Sequence, residues 1–400
     1  MEIKPTVTPS GRLARGAATV FAVAASLTAA SCDLFFKSDD GIALDIRVRP
    51  PRAAAGANHT LLIDGDTLWS FGQNHNGQLG NGATDDGTGT PYKVAEDVIG
   101  VWDEGDSSMY LSADGRLHIF GYGPWPQAGA DEGKYKPKIA TPLPFPLMHD
   151  GTELVIRSAA LGTANAAILA IDTQNRLWAF GMDFEGSLGL GQDPGGVVWK
   201  PTLTATEVAK VSMSVHHSLI LKTDGSVWSA GTDDSPIEPT YRLGLGVAGT
   251  HTSWQRVMDG AVDIVAAEYH SLVLKGDGSL WFFGLNAFGQ SGEDPQAVPH
   301  HATPFKIASG VTAIAADSRY SVFARENEIV AFGEPPVDDE SGGLSLKVPA
   351  DAADLETGPF HFVFSVGNDA WWGGGTNDAG QLRTLPDKSP PAPLGTFPDA

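Results

Sequence analysis

Four histidines stand at matching places in this 400-residue sequence: His59, His217, His270 and His361 each lie 13 or 14 residues before a recurring glycine. Ser108 and Tyr320 occupy the corresponding places in two further segments. Histidine is the commonest metal ligand, so a recurrent histidine first raises metal chemistry. Zinc needs its ligands to converge within about 2.1 Å of one point. Residues repeated at long intervals around a closed array are held apart instead. A histidine that hydrogen-bonds its own turn is therefore the expected role, with no metal and no cofactor.

Other reactive constellations are missing. The sequence has no Gly-x-Ser-x-Gly elbow, no His-Glu-x-x-His pair and no phosphate loop. The acidic clusters Asp233-Asp234 and Asp338-Asp339-Glu340 lack the alternating spacing of a calcium loop. The single cysteine, Cys32, sits at the end of an apolar segment and offers the body of the protein no thiol nucleophile. No catalytic residue is expected. Large aromatics gathered between repeats are the residue type that anchors interfaces, and Trp125, Trp199, Tyr241 and Trp254 are the candidate partner-binding residues.

The elements that must position these side chains follow from a repeat. Aligning on the glycine that ends each Trp-x-Phe-Gly unit gives Gly72, Gly121, Gly181, Gly231, Gly284, Gly333 and Gly375, spaced 49, 60, 50, 53, 49 and 42 residues apart. A period near 50 with strand-type content predicts the blades of a propeller. Each repeat reads as an inner strand, a turn, a second strand, a tight hairpin and a third strand bearing the aromatic unit. Asp114-Gly115, Asp224-Gly225, Asp277-Gly278, Gly65-Asp66, Asn175, Asn327 and Asn368-Asp369 mark the hairpins and predict primed two-residue turns. Trp69, Trp178, Trp228, Trp281 and Trp372 stand three residues before the glycine, and period-two alternation assigns them to packing between blades. Residues 122–150, 191–203, 232–256 and 334–347 break the repeat and read as divergent loops delivered to one rim.

The first residues have a different character. Residues 1–15 carry three basic side chains, and residues 16–30 are apolar or small and uncharged. That is the layout of a secretory signal peptide. Ala29-Ala30-Ser31-Cys32 resembles the lipobox of bacterial lipoproteins, although Ala29 stands where leucine is usual. The expected organisation is a signal peptide over 1–31, a lipidated residue and short tether over 32–42, and a propeller over 43–400, with Cys32 the lipid attachment site. The chain carries a formal net charge of −22, which repels phosphate backbones, so nucleic acid is not an expected partner.

The units Gly-x-x-His-Ser/Thr-Leu and Trp-x-x-Gly-x-Asn-x-x-Gly-Gln-Leu-Gly resemble the regulator of chromosome condensation repeat. They are clearest in residues 56–80, 215–231, 268–292 and 360–382. The resemblance implies an all-β, seven-bladed propeller of four-stranded blades, closed by pairing strands from both chain ends within one blade. Ala43–Val48 and Pro393–Phe397 are the candidates for that closure. It also implies a module that binds other proteins through one rim. The expected function is a monomeric, non-enzymatic protein-binding or scaffold module, lipid-anchored in a bacterial cell envelope. An envelope carbohydrate or peptidoglycan binder, or an enzyme with a site at the central channel, are the alternatives.

Overall fold

The computed structural model describes residues 34–37, 43–46, 48–126, 135–162, 167–183, 185–191, 196–234, 239–337, 343–348, 352–367, 370–383, 385 and 389–397. Cys32, the signal-like segment, Asn368-Asp369 and the side chain of Trp125 lie outside the described residues.

Short β-branched and aromatic runs, cut by glycine-bearing turns, give seven antiparallel four-stranded sheets. In chain order these blades cover 53–95, 98–144, 156–205, 208–258, 261–308, 311–347 and 352–393. The innermost strands are Ala53–Ala55, Val98–Glu104, Ile156–Gly162, Val208–Met213, Ala261–Ala266, Val311–Asp317 and Ala352–Thr357. Each contacts the next, and the seventh contacts the first, so the blades form a closed ring. The chain is a seven-bladed β-propeller.

The core lies between blades. One apolar cluster joins Leu61 and Leu68 of blade 1 to Phe120 of blade 2 and Trp178 of blade 3. All seven recurring glycines have positive φ, from 89° at Gly121 to 127° at Gly231. A Cβ at Gly72 would lie 2.5 Å from the Asn58 carbonyl oxygen, so the bend and the close approach both require glycine there.

Four expectations need correction. The hairpins of blades 2 to 5 are three-residue loops, not two-residue ones. In blade 4, Lys222 N–H donates to the Ser226 carbonyl and Gly225 N–H to the Lys222 carbonyl, a type I turn ending in a left-handed residue. Among the hairpins described throughout, only those of blades 1 and 6 are two-residue connections, with Asp64 opposite Thr67 and Arg325 opposite Glu328. The tryptophans are also not uniformly core. Trp69 and Trp178 are buried, whereas Trp228, Trp281 and Trp372 are half-buried. Lys222 and Lys275 cover the Trp228 and Trp281 rings at 5.3 and 4.7 Å.

Third, the divergent segments contain the outer strands of their blades. Blade 2's third strand runs past Gly121 as Leu117–Pro126 and pairs with Tyr135–Pro144, so Trp125 opposes Lys136 in a ladder. Trp199 lies in the outer strand Gly196–Ala205 and Trp254 in the outer strand Thr250–Met258. Only Tyr241 is in a loop. Alternating exposed and covered positions on a half-solvated outer strand look polar enough to read as loop.

Fourth, the chain ends do not share a blade. Blade 7 draws all four strands from Ala352–Thr357 onward, and blade 1 all four from Ala53–Ala55 onward. Side chains close the seam. Phe397 packs on Trp69 and Phe71 of blade 1 at 6.0 and 6.1 Å between ring centroids. The Arg383 guanidinium holds the backbone carbonyls of Leu394 and Thr396 and lies 4.8 Å from the Phe397 ring.

The segment Ala43–Ile46 makes a two-stranded ribbon with Leu34–Lys37 and lies beside the innermost strand of blade 5. Ile46 and Val48 are buried in a cluster of blades 4 and 5. Arg49 then reaches Asp354 of blade 7 at 2.7 Å, and the Pro51 carbonyl accepts from Val101 N–H of blade 2. Residues 48–51 thus cross one end of the central channel as a strap.

Candidate functional site

Alternating strand direction gives the ring two different faces. Turns between first and second strands, and connections from third to fourth strands, emerge on what we call the upper face. The hairpins between second and third strands, the connections between blades, and the strap lie on the lower face.

The repeated histidines start the second strands at the upper face and are buried. His59, His217, His270, Tyr320 and His361 each pair across the ladder with the recurring glycine. Ser107, not Ser108, is the blade 2 counterpart, opposite Gly121. Only the His217 ring bonds its own turn, through Nδ1 to Ser214 Oγ; the common role of the histidines is instead to tie their blade to the next. His217 Nε2 lies 2.7 Å from Ser271 Oγ, His270 Nε2 2.9 Å from Ser321 Oγ, and His361 Nε2 2.8 Å from Thr60 Oγ1. Tyr320 performs the same task by donating its hydroxyl to the Gly358 carbonyl of blade 7.

The partner hydroxyl fixes the tautomer. Ser271 donates to the Arg242 carbonyl and Thr60 to the Gln381 carbonyl. Their single protons are thus committed, and each must accept from a protonated Nε2. Burial holds His270 and His361 near pKa 3 and His217 well below its usual value, because the interior disfavours the imidazolium. These are neutral structural histidines. Among the described residues, no three His, Cys, Asp or Glu side chains are grouped to hold a metal ion.

His59 differs, because its Nε2 lies 2.6 Å from Asp103 Oδ2 and 3.0 Å from Ser108 Oγ. The three residue types resemble a hydrolytic triad, but the geometry does not. A triad engages serine and aspartate through opposite ring nitrogens, whereas both meet one nitrogen here and Nδ1 has no partner.

The Asn-x-x-Gly-Gln element is structural too. Asn286 Oδ1 accepts from Ser291 N–H while its amide donates to the Glu293 and Val298 carbonyls, folding the loop on itself. Gln290 accepts from Phe288 N–H and reaches the Ser318 carbonyl of blade 6.

What varies is the residue just before each histidine position. The carbonyls of Asn58, Asp106, His216, Tyr269, Arg319 and Phe360 each accept from the N–H that follows a recurring glycine. One backbone geometry therefore presents six different side chains on the upper face. Asp106 is bound by Asn76 and Gln78, His216 pairs with Glu185 at 2.6 Å, and Arg319 pairs with Glu334 at 3.0 Å. Phe360 is 45% exposed. Sequence reasoning missed this ring, although the variation beside a repeated histidine was its visible signal.

The candidates from sequence are dispersed. Trp254 is half-buried and donates to Thr204 Oγ1 of blade 3 at 3.0 Å. A Cβ at Gly189 would strike its ring at 2.3 Å, so this indole packs blade against blade. Tyr241 stacks on His300 of blade 5 at 4.5 Å, and Trp199 is half-buried on the outer edge.

Inside the ring, the innermost strands enclose a cavity of about 230 Å³, and a second of about 220 Å³ lies at the upper mouth. Lys210 pairs with Asp263 and Arg49 with Asp354 in the first cavity. Glu356 lines it as well, its carboxyl pushed up to about 8 mainly by desolvation. Glu104, Glu268 and Asp317 line the mouth, and burial raises the Asp317 carboxyl.

No family model matches the sequence. Individual proteins do. The chain is 24% identical over 279 residues to the ultraviolet-B receptor UVR8 of Arabidopsis thaliana, covering 65% of this chain and 60% of the receptor. It is 26% identical over 253 residues to the human E3 ubiquitin-protein ligase HERC2, covering 60% of this chain but 5% of the ligase. Weaker similarity extends to the guanine nucleotide exchange factor SRM1 of Saccharomyces cerevisiae, 25% identical over 244 residues. The chain is similar to proteins of the regulator of chromosome condensation repeat family. Its fold is that of human WBSCR16 (TM-score 0.69, 16% identity, 83% of this chain and 94% of that one). Yeast RCC1 (Prp20), solved bound to Kap60, superimposes with a TM-score of 0.66 at 17% identity over 98% of this chain and 91% of that one. Relatives in this family act in protein binding or regulation.

Proposed function

We propose that this propeller is an exported, lipid-anchored module of a bacterial cell envelope that binds a protein partner through its upper face and performs no catalysis itself. The observation that carries the reading is the ring of Asn58, Asp106, His216, Tyr269, Arg319 and Phe360: one backbone geometry bearing unlike side chains. Packing dictates neighbouring positions and leaves this one free to be shaped by a partner. Tyrosine, arginine and phenylalanine are types that carry interface energy. The yeast relative solved in complex with Kap60 supports a protein as the ligand class.

The strap supports the anchored arrangement. The chain enters the ring at its lower face, so a lipid on Cys32 would leave the upper face turned away from the membrane. Cys32→Ser is expected to move the protein from the detergent phase to the aqueous phase, and equal partitioning of both forms would remove the anchor from the proposal. A photo-crosslinker at Phe360 should capture a partner in intact cells, whereas one at Asp114 on the lower face should not. Adducts from Asp114 alone would refute the upper-face assignment.

A further inference from the structure

We infer that Asp233 is a proton-operated latch for the upper-face loop of blade 4: protonated, its carboxyl holds the loop closed as an asparagine amide would, and ionised, it releases the loop. The inference stands whether or not a partner binds that face.

Two residues after the recurring glycine stand Asn74, Asp183, Asp233, Asn286 and Asn377, of blades 1, 3, 4, 5 and 7. In all five, Oδ1 accepts a backbone N–H of the loop, from Leu79, Leu188, Leu243, Ser291 and Leu382. The asparagines use their other side-chain atom as a donor. Asn74 Nδ2 donates to the Ala83 carbonyl, Asn286 Nδ2 to those of Glu293 and Val298, and Asn377 Nδ2 to that of Arg383. A carboxylate has no proton to give, whereas a carboxylic acid keeps an acceptor and gains a donor, as this place in the repeat requires. Asp233 is fully buried, and its Oδ2 has no hydrogen-bond partner among the described residues. That oxygen is the one that carries the proton. Desolvation pushes the Asp233 carboxyl up to about 6, and burial raises that of Asp183 as well.

The surroundings favour a proton over a metal ion. The buried Arg242 guanidinium already places a positive charge near Asp233, although no ion pair joins the two among the described residues. Arg242 directs its nitrogens instead to Thr240 Oγ1 and to the carbonyls of Glu268 and Asp234. Asp234 is the other charged group acting on Asp233, and Glu185 of blade 3 and Glu268 and Tyr269 of blade 5 act on Arg242.

What the latch holds is a clasp on blade 5. The Arg242 carbonyl accepts from Ser271 Oγ, Gly246 N–H donates to the Ala302 carbonyl at 2.8 Å, and Tyr241 stacks on His300. Ionisation leaves an unmatched buried carboxylate oxygen beneath this loop, a costly state that opening relieves. Because the folded value is raised, the stability of the closed loop is complete below the unfolded carboxyl value of about 3.9. It is lost as pH rises through about 6.

Hydrogen exchange of the full chain, read by mass spectrometry at about pH 5 and about pH 7.5 and corrected for intrinsic rates, tests the latch. Peptides from residues 239–249 should lose protection by about tenfold or more at the higher pH. Asp233→Asn, which carries the donor at every pH, should keep them protected at both. The blade 5 loop 286–299, held by Asn286, should be indifferent to pH in both proteins. His216→Gln should retain the parent response, which separates Asp233 from the nearby His216–Glu185 pair. Thermal melting checks that the variants fold, and the contrast between the two loops of the parent decides by itself if Asp233→Asn does not. Equal protection of 239–249 at both pH values overturns the inference, as does a loss shared equally by 286–299 or a response that survives Asp233→Asn. Protection restored at the higher pH by millimolar calcium chloride would make Asp233 a cation ligand and overturn it too.

Discussion

Neighbouring residues in each repeat have opposite histories of constraint. His217, His270 and His361 are fully buried, and each holds the next blade's hydroxyl through Nε2. The residues immediately before them, His216, Tyr269 and Phe360, share a backbone hydrogen bond and little else. One peptide bond separates a position that packing dictates from one that it does not. In a repeat protein, then, structural and recognition roles need not occupy separate loops. They can alternate along one strand end, with the buried residue holding its variable neighbour in place.

The strongest way to break this contrast is to remove a buried histidine. His270→Ala deletes a fully buried ring that stacks on Phe282 at 5.1 Å and orphans Ser321, and should cost about 3 kcal/mol by urea denaturation. Acid should act on the same positions. Their folded pKa values are depressed below the unfolded value of about 6.5. The stability they contribute is therefore complete above pH 6.5 and is lost as pH falls toward 3. His270→Gln should flatten that acid limb, and an unchanged pH profile would contradict the assignment.

A finer test compares two serines. Ser271 accepts from His217 and donates to Arg242, so Ser271→Ala should cost about 1–3 kcal/mol by leaving both groups unmatched. Ser218 is its equivalent in blade 4, but blade 3 has Ala167 where the histidine would stand. Ser218 Oγ is buried with no hydrogen-bond partner among the described residues. Ser218→Ala should therefore change the urea midpoint little or raise it slightly. Equal losses at both sites would show that the hydroxyls matter for some reason other than the inter-blade bond.

The smallest effect on stability belongs to the variable ring. Phe360→Ala should leave unfolding within about 0.5 kcal/mol of the parent, as for surface positions generally, while weakening capture of the partner. A large loss of stability would return Phe360 to the packed class.

Much of the architecture is legible in the sequence because its cause is local and repeated. Seven glycines with a bend that only glycine takes, and aromatics at strand period, announce blades without reference to distant residues. The histidine's place was legible, whereas its bond was not, since Ser271 and Thr60 belong to other blades. Ser107 and Ser108 could not be told apart, because a one-residue difference in hairpin length moves the register. The same ambiguity hid the three-residue turns. Trp254 looked like a recognition residue because its contacts, Thr204 and Gly189, are 50 and 65 residues away in sequence. The ring of Tyr269 and Phe360 was hidden for the opposite reason: its variation sits beside the most regular residue of the motif, away from the long insertions.

The seam between the last blade and the first has a consequence for how the molecule comes to be folded. His361 meets Thr60 across 301 residues of sequence, and Thr60 meets Gln381 across 321. No strand is shared there, so nothing draws the two ends together until intervening blades have stacked. Contacts between residues so far apart form slowly, because the entropy of closing the loop is spent before the contact rewards it. Ring closure should therefore be the last kinetic event, preceded by an open arc of blades. In that arc the flanks of blades 1 and 7, with Phe71 and Trp371 uncovered, would be the surfaces a chaperone sees.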